Sequence, residues 1–495
     1  MNTSYIRHII GQVLKMEAAL MLLPCLTALI YKEPEGFAFF ITLVVCGLIG
    51  FVATYKKPAE TTIYLKEGCA ATALCWIFLS IFGAIPFVLT GEIPHFVDAL
   101  FETVSGFTTT GASILTDVEK LSHCSLLWRS FTHWIGGMGV LVFLLAIIPL
   151  SGASNFNLMK AESPGPSVGK LVPKLKHTAR LLYMIYIFMT FVEFVLLLCG
   201  KMPVFDALST SFGTAGTGGF GIKADSLAGY SPFIQWVVTI FMILFGVNFN
   251  AYYFIFMRQI KKAVSMEEVK CYFIIIAAAI AIIFFNTFSL FSGIEETLRH
   301  SSFQVASIIT TTGFSTTDFN LWPETSRFIL VLLMFIGACA GSTGGGIKVS
   351  RIVLMLKTVK KELYTFMHPK SILKIKIDGK PVEHEVVRSV NVYFISFVII
   401  FCLSLFFLSF EGKDLITCFT AVAATINNIG PGLEEVGPCG NFAGFNPFSK
   451  IILILDMLAG RLELFPLLIL FHPKAWKELL VTQKSKRHLT KAGKR

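Results

Sequence analysis

Long apolar runs alternate with short polar connections along the whole chain, at about 9–31, 37–55, 69–90, 126–149, 179–200, 232–257, 270–292, 327–358, 388–410 and 448–472. A helix needs about 20 residues to cross a hydrocarbon core of roughly 30 Å, and nearly all of these runs suffice. Between alternate pairs lie shorter segments near 96–108, 204–215, 297–310 and 414–427. At about 1.5 Å per residue these reach half way across. They read as re-entrant pore helices, which membrane depth tolerates only where protein or a watery cavity surrounds them. The predicted unit is long helix, half helix, turn, long helix, used four times from about residue 69.

Each half helix ends on a turn of small residues. Thr108-Thr109-Thr110-Gly111 and Thr310-Thr311-Thr312-Gly313 are nearly identical, and Gly216-Thr217-Gly218-Gly219 and Asn427-Asn428-Ile429-Gly430 are weaker copies. The framing repeats too. Asp98-Ala99-Leu100 stands thirteen residues before Gly111, as Asp206-Ala207-Leu208 does before Gly219. Asp117, Asp225, Asp318 and the pair Glu434 and Glu435 follow the four glycines, which lie 108, 94 and 117 residues apart. One Thr-Thr-Gly is a trivial match. Four framed copies imply a four-fold pore.

The expected fold is therefore an all-α polytopic membrane protein. Four pseudo-repeated helix–pore-helix–filter-loop–helix units surround one central pore, preceded by two extra transmembrane helices in 1–60. The repeats occupy 61–160, 161–262, 263–365 (with a broken second helix) and 366–475, and 476–495 is a basic tail. Two polar linkers are too short to be domains. One, 150–178, carries Pro164, Pro166 and Pro173, and the other, 359–388, has Asp378-Gly379 as a turn between short strands.

Composition agrees with this reading. Of 495 residues 54% are apolar and 15% charged, against about 25% charged in soluble domains. The N-terminus lacks a small-residue cleavage pattern, and Lys15 and Glu17 interrupt its apolar run, so a retained helix is expected. A net charge of +11 could suggest nucleic acid, but its placement argues against that. Lys and Arg gather in alternate loops: Lys56 and Lys57, Lys160 to Arg180, Arg258 with Lys261 and Lys262, Lys348 to Arg388, and Lys474 to Arg495. That bias places those loops and the C-terminus in the cytoplasm and the Thr-Gly turns outside. The eleven Cys are scattered, with no C-x-x-C pair or nearby His cluster, which indicates neither a metal site nor a redox motif.

A dehydrated K⁺ ion needs a ring of oxygens in place of its water. Backbone carbonyls supply one when successive C=O groups point inward, and Gly permits the dihedrals at the narrow point. The C-terminal ends of the half helices favour a cation there. Asp98 and Asp206 read as caps of the half helices. The acidic residues after the glycines are solvated loop charges or a negative vestibule that concentrates cations.

Gly341-Ser342-Thr343-Gly344-Gly345-Gly346-Ile347-Lys348 resembles a phosphate-binding loop, but Ile347 separates Gly346 from Lys348 and no strand precedes it. It reads instead as close helix packing or as a break that sets a loop beneath the third turn. Arg461, inside the last apolar run, is a costly intramembrane charge. It either pairs with Asp456, Glu463 or a neighbouring helix, or bars the path of a cation. Coupling to a proton gradient would need a titratable group along the pore, and Glu193 is the candidate. Paired carboxylates, a His cluster or a nucleophile with its base at membrane depth are not found, so an enzyme is not expected.

The three Thr-Gly and Gly-Gly turns, Asn427-Asn428-Ile429-Gly430-Pro431-Gly432, the Gly-rich break and Gly460-Arg461-Leu462-Glu463-Leu464-Phe465-Pro466 together resemble the Trk/Ktr/HKT superfamily, in particular its bacterial TrkH branch. The resemblance covers essentially the whole chain. It implies a potassium-translocating subunit of the plasma membrane with a filter formed by Thr109, Thr110, Gly111, Thr217, Gly218, Gly219, Thr311, Thr312, Gly313, Asn428, Ile429 and Gly430. It also implies a gate made by Gly341, Ser342, Thr343, Gly344, Gly345 and Gly346 with Arg461, and a homodimer. Ser in place of the first filter glycine accompanies Na⁺ permeation in some relatives. The family works with TrkA-like cytoplasmic subunits that bind NAD or ATP. This chain carries no dinucleotide fingerprint and implies no cofactor of its own. The basic linkers suit docking of such a partner, and anionic membrane lipid would attract them equally.

Overall fold

The computed structural model describes residues 2–58, 64–139, 175–371 and 373–473, which are mostly helical. Helices α1 (Thr3–Leu20) and α2 (Leu22–Tyr31) lead into α3 (Gly36–Tyr55). The first unit is α4 (Leu65–Thr90), the short α5 (Phe96–Phe107) and α6 (His123–Gly137). The second has α7 (Leu175–Cys199), the short α8 (Val204–Gly216), α9 (Pro232–Phe245), α10 (Phe249–Phe256) and the small α11 (Ile260–Ser265). The third has α12 (Glu267–Thr287), α13 (Ile294–Ile309), α14 (Glu324–Ile336) and α15 (Val349–Met367). A small hairpin, β1 (Lys376–Ile377) with β2 (Lys380–Pro381), precedes the fourth. That unit is α16 (His384–Leu408), the short α17 (Leu415–Ile426), α18 (Pro447–Arg461) and α19 (Phe465–Phe471).

The α1–α2 pair, α3 and the leading helices α4, α7, α12 and α16 are long and apolar enough to cross a membrane. Large side chains on them, such as Phe188, Phe285, Ile395 and Phe406, are exposed, as lipid-facing positions must be. The chain is a multi-pass membrane protein. The second helices begin on local chemistry. Ser231 and Asn446 accept backbone N–H bonds at the starts of α9 and α18, where Pro232 and Pro447 take the first helical position.

Packing between units closes a ring. Each short helix lies against its own leading and second helices and also against a second helix from the preceding unit: α8 on α6, α13 on α9, α17 on α14, and α5 on α18. The short helices are consequently buried over most of their length.

Second helices depart from the predicted continuous spans. The apolar run at 232–257 is bent by 90° between α9 and α10. Gly246 stands there because a Cβ would strike the Tyr272 hydroxyl, and Asn248 Oδ1 accepts the Asn250 N–H at 2.9 Å to start α10. The run at 448–472 breaks after Arg461, where Glu463 and Leu464 take φ of 55° and 68°. Hydropathy reports solvent preference and is blind to these bends. The break expected in the third unit is present, from Gly337 to Lys348. In the first unit α6 ends at Gly137. The rest of the run predicted to 149, nearly all of linker 150–178 and the tail 476–495 lie outside the described residues. The predicted Asp378-Gly379 turn is found, joining Ile377 to Lys380 in the hairpin, with φ of 51° and 75°.

Candidate functional site

The four short helices terminate alike. Thr109, Thr217, Thr311 and Asn428 are left-handed, with φ of 55°, 53°, 58° and 55°. The next N–H then reaches back five residues: Thr110 to Ser105 O (2.8 Å), Gly218 to Gly213 O (2.9 Å), Thr312 to Ser307 O (2.8 Å) and Ile429 to Ala424 O (2.8 Å). This is a Schellman-type stop, where Gly is the usual residue. A β-branched Thr at positive φ is a genuine outlier, held only because its surroundings over-determine it. Gly111, Gly219, Gly313 and Gly430 follow at φ of 79°, 75°, 87° and 100°. Hydroxyl pairs stiffen two turns, Thr108 with Thr110 at 2.8 Å and Thr310 with Thr312 at 2.7 Å. In the fourth, Asn428 Nδ2 donates to Thr110 Oγ1 and to Met457 O, both at 2.9 Å. Asn replaces Thr where the last turn is tied to the first.

The turns meet in cyclic order. A Cβ on Gly111 would strike the carbonyl of Gly218, one on Gly219 that of Thr312, and one on Gly313 that of Ile429. One on Gly430 would stand 2.8 Å from Thr110 O and 3.1 Å from Gly111 O. Each glycine thus abuts the next turn, which only a residue without a side chain allows. All four predicted turns are brought together.

The Gly-rich break packs against this ring. The Gly345 N–H donates to Thr311 Oγ1 at 2.7 Å and the Gly346 N–H to Asn427 O at 3.0 Å. A Cβ on Gly344 would lie 2.9 Å from Thr310 O. The loop therefore touches the third and fourth turns, where the sequence suggested the third alone. Its start is held elsewhere: Gly341 O accepts the Phe249 N–H at 3.0 Å, at the α9–α10 bend, and Ser342 Oγ bonds Cys339 O at 2.7 Å. Glu268 on α12 accepts the Ala340 N–H at 2.5 Å. The six predicted loop residues thus divide between an anchor and a face towards the turns.

Arg461 joins three parts of the site. Its guanidinium donates to Thr343 O (2.9 Å) and to the carbonyls of Gly136 and Gly137 (the latter at 2.7 Å) at the end of α6. A helix C-terminus is a favourable place for a cation. The carboxylates considered as its partners are engaged by others. Asp456 accepts the Ser404 hydroxyl at 2.7 Å, and Glu463 pairs with Arg351 and with Lys348 (3.5 Å). Lys348 and Arg351 were counted among the cytoplasmic loop charges. They are instead largely buried, both facing one carboxylate more than a hundred residues away in sequence.

One further expectation is corrected. Asp98 and Asp206 lie in the first turns of α5 and α8, where His95 and Pro203 hold the cap positions. They bond across to other elements, Asp98 to Lys450 at 2.6 Å and Asp206 to the Tyr230 hydroxyl at 2.7 Å. Acidic residues after the glycines are mostly occupied. Asp117 and Asp318 cap short turns by accepting from Glu119 and Asn320, and Glu434 and Glu435 pair with Arg327 and Lys413. Sequence reading also missed Arg129 and Glu102, a buried pair behind the turns. The intramembrane-charge signal that found Arg461 was present for Arg129 too. Among the described residues no group of three or more His, Cys, Asp or Glu could hold a metal ion.

Helices that span a membrane and wrap a ring of Thr- and Gly-bearing turns are the build of a transporter. The chain belongs to the TrkH family of cation transport proteins, whose model matches residues 35–478. It is 36% identical over 490 residues to the Trk system potassium uptake protein TrkH of Salmonella typhimurium, covering 97% of this chain and 100% of that one. With the Trk system potassium uptake protein TrkG of Escherichia coli it shares 34% identity, over 96% and 100% of the two chains. The crystal structure of the potassium transporter TrkH from Vibrio parahaemolyticus matches with a TM-score of 0.87 at 32% identity, covering 96% of this chain and 100% of that one.

Proposed function

We propose that this protein is the pore-forming subunit of a potassium uptake system, with the four turns as its selectivity filter. The observation that carries the reading is the cyclic packing of Gly111, Gly219, Gly313 and Gly430, each against the next turn's carbonyl. A ring of backbone oxygens set by packed turns replaces the hydration shell of a cation of one size. Thr343 to Gly346 and Arg461 form the gate: the loop abuts the turns, and a positive charge beside the path opposes cations until it moves. The protein sits in the inner membrane as a homodimer with a cytoplasmic C-terminus, and TrkA-like NAD- or ATP-binding subunits move the loop from that side.

Flux of Rb⁺ into proteoliposomes tests this, measured with and without a proton gradient. Uptake that follows the Rb⁺ gradient and is competed by K⁺ far better than by Na⁺ is expected. Uptake strictly dependent on a proton gradient would shift the reading to coupled transport, for which Glu193, fully buried on α7, is the residue to replace. Absence of Rb⁺ flux would overturn both.

A further inference from the structure

Behind the first two turns lies a buried ion pair. Glu102 on α5 and Arg129 on α6 have side chains 0% and 2% exposed, and meet at 2.7 Å through Nη2 and 2.8 Å through Nε. Each partner also grips the segment leaving a turn. Glu102 accepts the Ser113 hydroxyl at 3.0 Å and the Ile114 N–H at 3.0 Å, just beyond Gly111. Arg129 donates to Gly221 O at 3.3 Å and lies 4.1 Å over the ring of Phe220, just beyond Gly219. One helical turn along α6, His133 continues the brace. Its Nδ1–H donates to Gly106 O at 2.8 Å, and its Nε2 accepts the Phe220 N–H at 3.3 Å. The junction between the third and fourth turns is made differently. There Asn320 exchanges bonds with the backbone of Glu434 near the surface.

A dehydrated charge pair of zero net charge fixes two segments through five directed bonds, since the Ser113 hydroxyl also meets the second Glu102 oxygen at 3.1 Å and Arg129 Nη2 at 3.4 Å. Loss of one partner does two things together. It frees one turn from its neighbour, and it leaves an uncompensated charge in low dielectric close to the ion path, where screening is weak. We propose that Glu102 and Arg129 are a positioning pair for ion selection, holding the Gly111 and Gly219 turns at their mutual spacing while keeping the region behind them electrically neutral. This rests on the turns being the filter.

The test is Rb⁺ uptake with K⁺ and Na⁺ competition in proteoliposomes of Glu102→Gln, Arg129→Gln and the double variant, with Gly111→Ser alongside. Glu102→Gln leaves a cation and should raise the apparent KM for Rb⁺ by about tenfold, whereas Arg129→Gln leaves an anion and should not raise it. The double variant should return KM to within about threefold of the parent. All three should discriminate K⁺ from Na⁺ less well. A purely structural role would move both single variants the same way, and that result overturns the proposal. So does unchanged discrimination in the three where Gly111→Ser loses it. If Gly111→Ser is silent as well, the filter reading falls and the pair falls with it. Should a single variant fail to reach the membrane, Glu102→Asp and Arg129→Lys take its place. They keep charge and lose the two-point geometry, so reduced discrimination at near-parental KM is expected, and parental discrimination overturns the proposal.

Discussion

The backbone N–H of Gly345 hangs the intramembrane loop on the hydroxyl of Thr311, at 2.7 Å. That hydroxyl is aimed by a backbone at φ 58°, so the strain of the third turn and the position of the loop are one arrangement. Thr311→Ala removes the bond and leaves a buried N–H unsatisfied, at about 1–3 kcal/mol. With the loop as the proposed gate, its hold on the third turn should weaken, and basal Rb⁺ flux should rise about fivefold or more. Thr311→Ser keeps the hydroxyl and should stay near the parent. Equal flux in both variants would show that the bond does not hold the loop.

Arg461 bridges Thr343, Gly136 and Gly137, and Gly460 brings it beside the fourth turn, since a Cβ on Gly460 would stand 2.7 Å from Asn428 Oδ1. At an effective dielectric of 20, a unit charge about 5 Å from a K⁺ ion costs roughly 3 kcal/mol. Arg461→Ala should therefore raise basal flux many-fold. Arg461→Lys keeps the charge but cannot fork between three carbonyls, and should fall between. Unchanged flux in a well-folded Arg461→Ala protein would leave this residue a structural tie alone.

The turns were legible because their chemistry is written into residue type. Gly recurs where the chain must pass close to a neighbouring carbonyl, and the half helices stand out by length. The bend at Gly246 to Asn248 and the break after Arg461 were not legible, since the runs at 232–257 and 448–472 stay apolar on average across both. Charges misled where they were counted by position along the chain. Lys348 was read as a loop charge, and the fold buries it beside Glu463. Asp98 looked like a cap, because its partner Lys450 is three units further along.

Glu463 holds two buried cations, Arg351 and Lys348, between the third unit's break and the fourth's. Removal of one member of a buried ion network costs about 3–5 kcal/mol, because it strands charge without compensation. Glu463→Gln should lower the melting temperature in detergent by several degrees or more. Adding Arg351→Gln should restore part of that loss. If the double variant melts no higher than Glu463→Gln, the group is not acting as a charge network.

Gly111 carries the sharpest prediction for the filter. Its φ of 79° disfavours any side chain, and a Cβ there would meet the Gly218 carbonyl. Backbone strain adds about 1 kcal/mol, and the contact can be relieved only by moving the first turn away from the second. Gly111→Ser therefore tilts the ring at one junction and adds a hydroxyl able to hold a smaller ion. Choice between K⁺ and Na⁺ is a difference of two large dehydration energies, so about 1.4 kcal/mol shifts it tenfold. Na⁺ should be admitted markedly better, with the protein still assembled in the membrane. The neighbouring Ala112 is buried and already bears a Cβ, so Ala112→Ser is expected to do much less. Rb⁺ uptake competed by Na⁺ compares the two directly. Equal effects at both positions would mean that Gly111 is not the special residue of its turn, and the correspondence drawn among the four turns would fail with it.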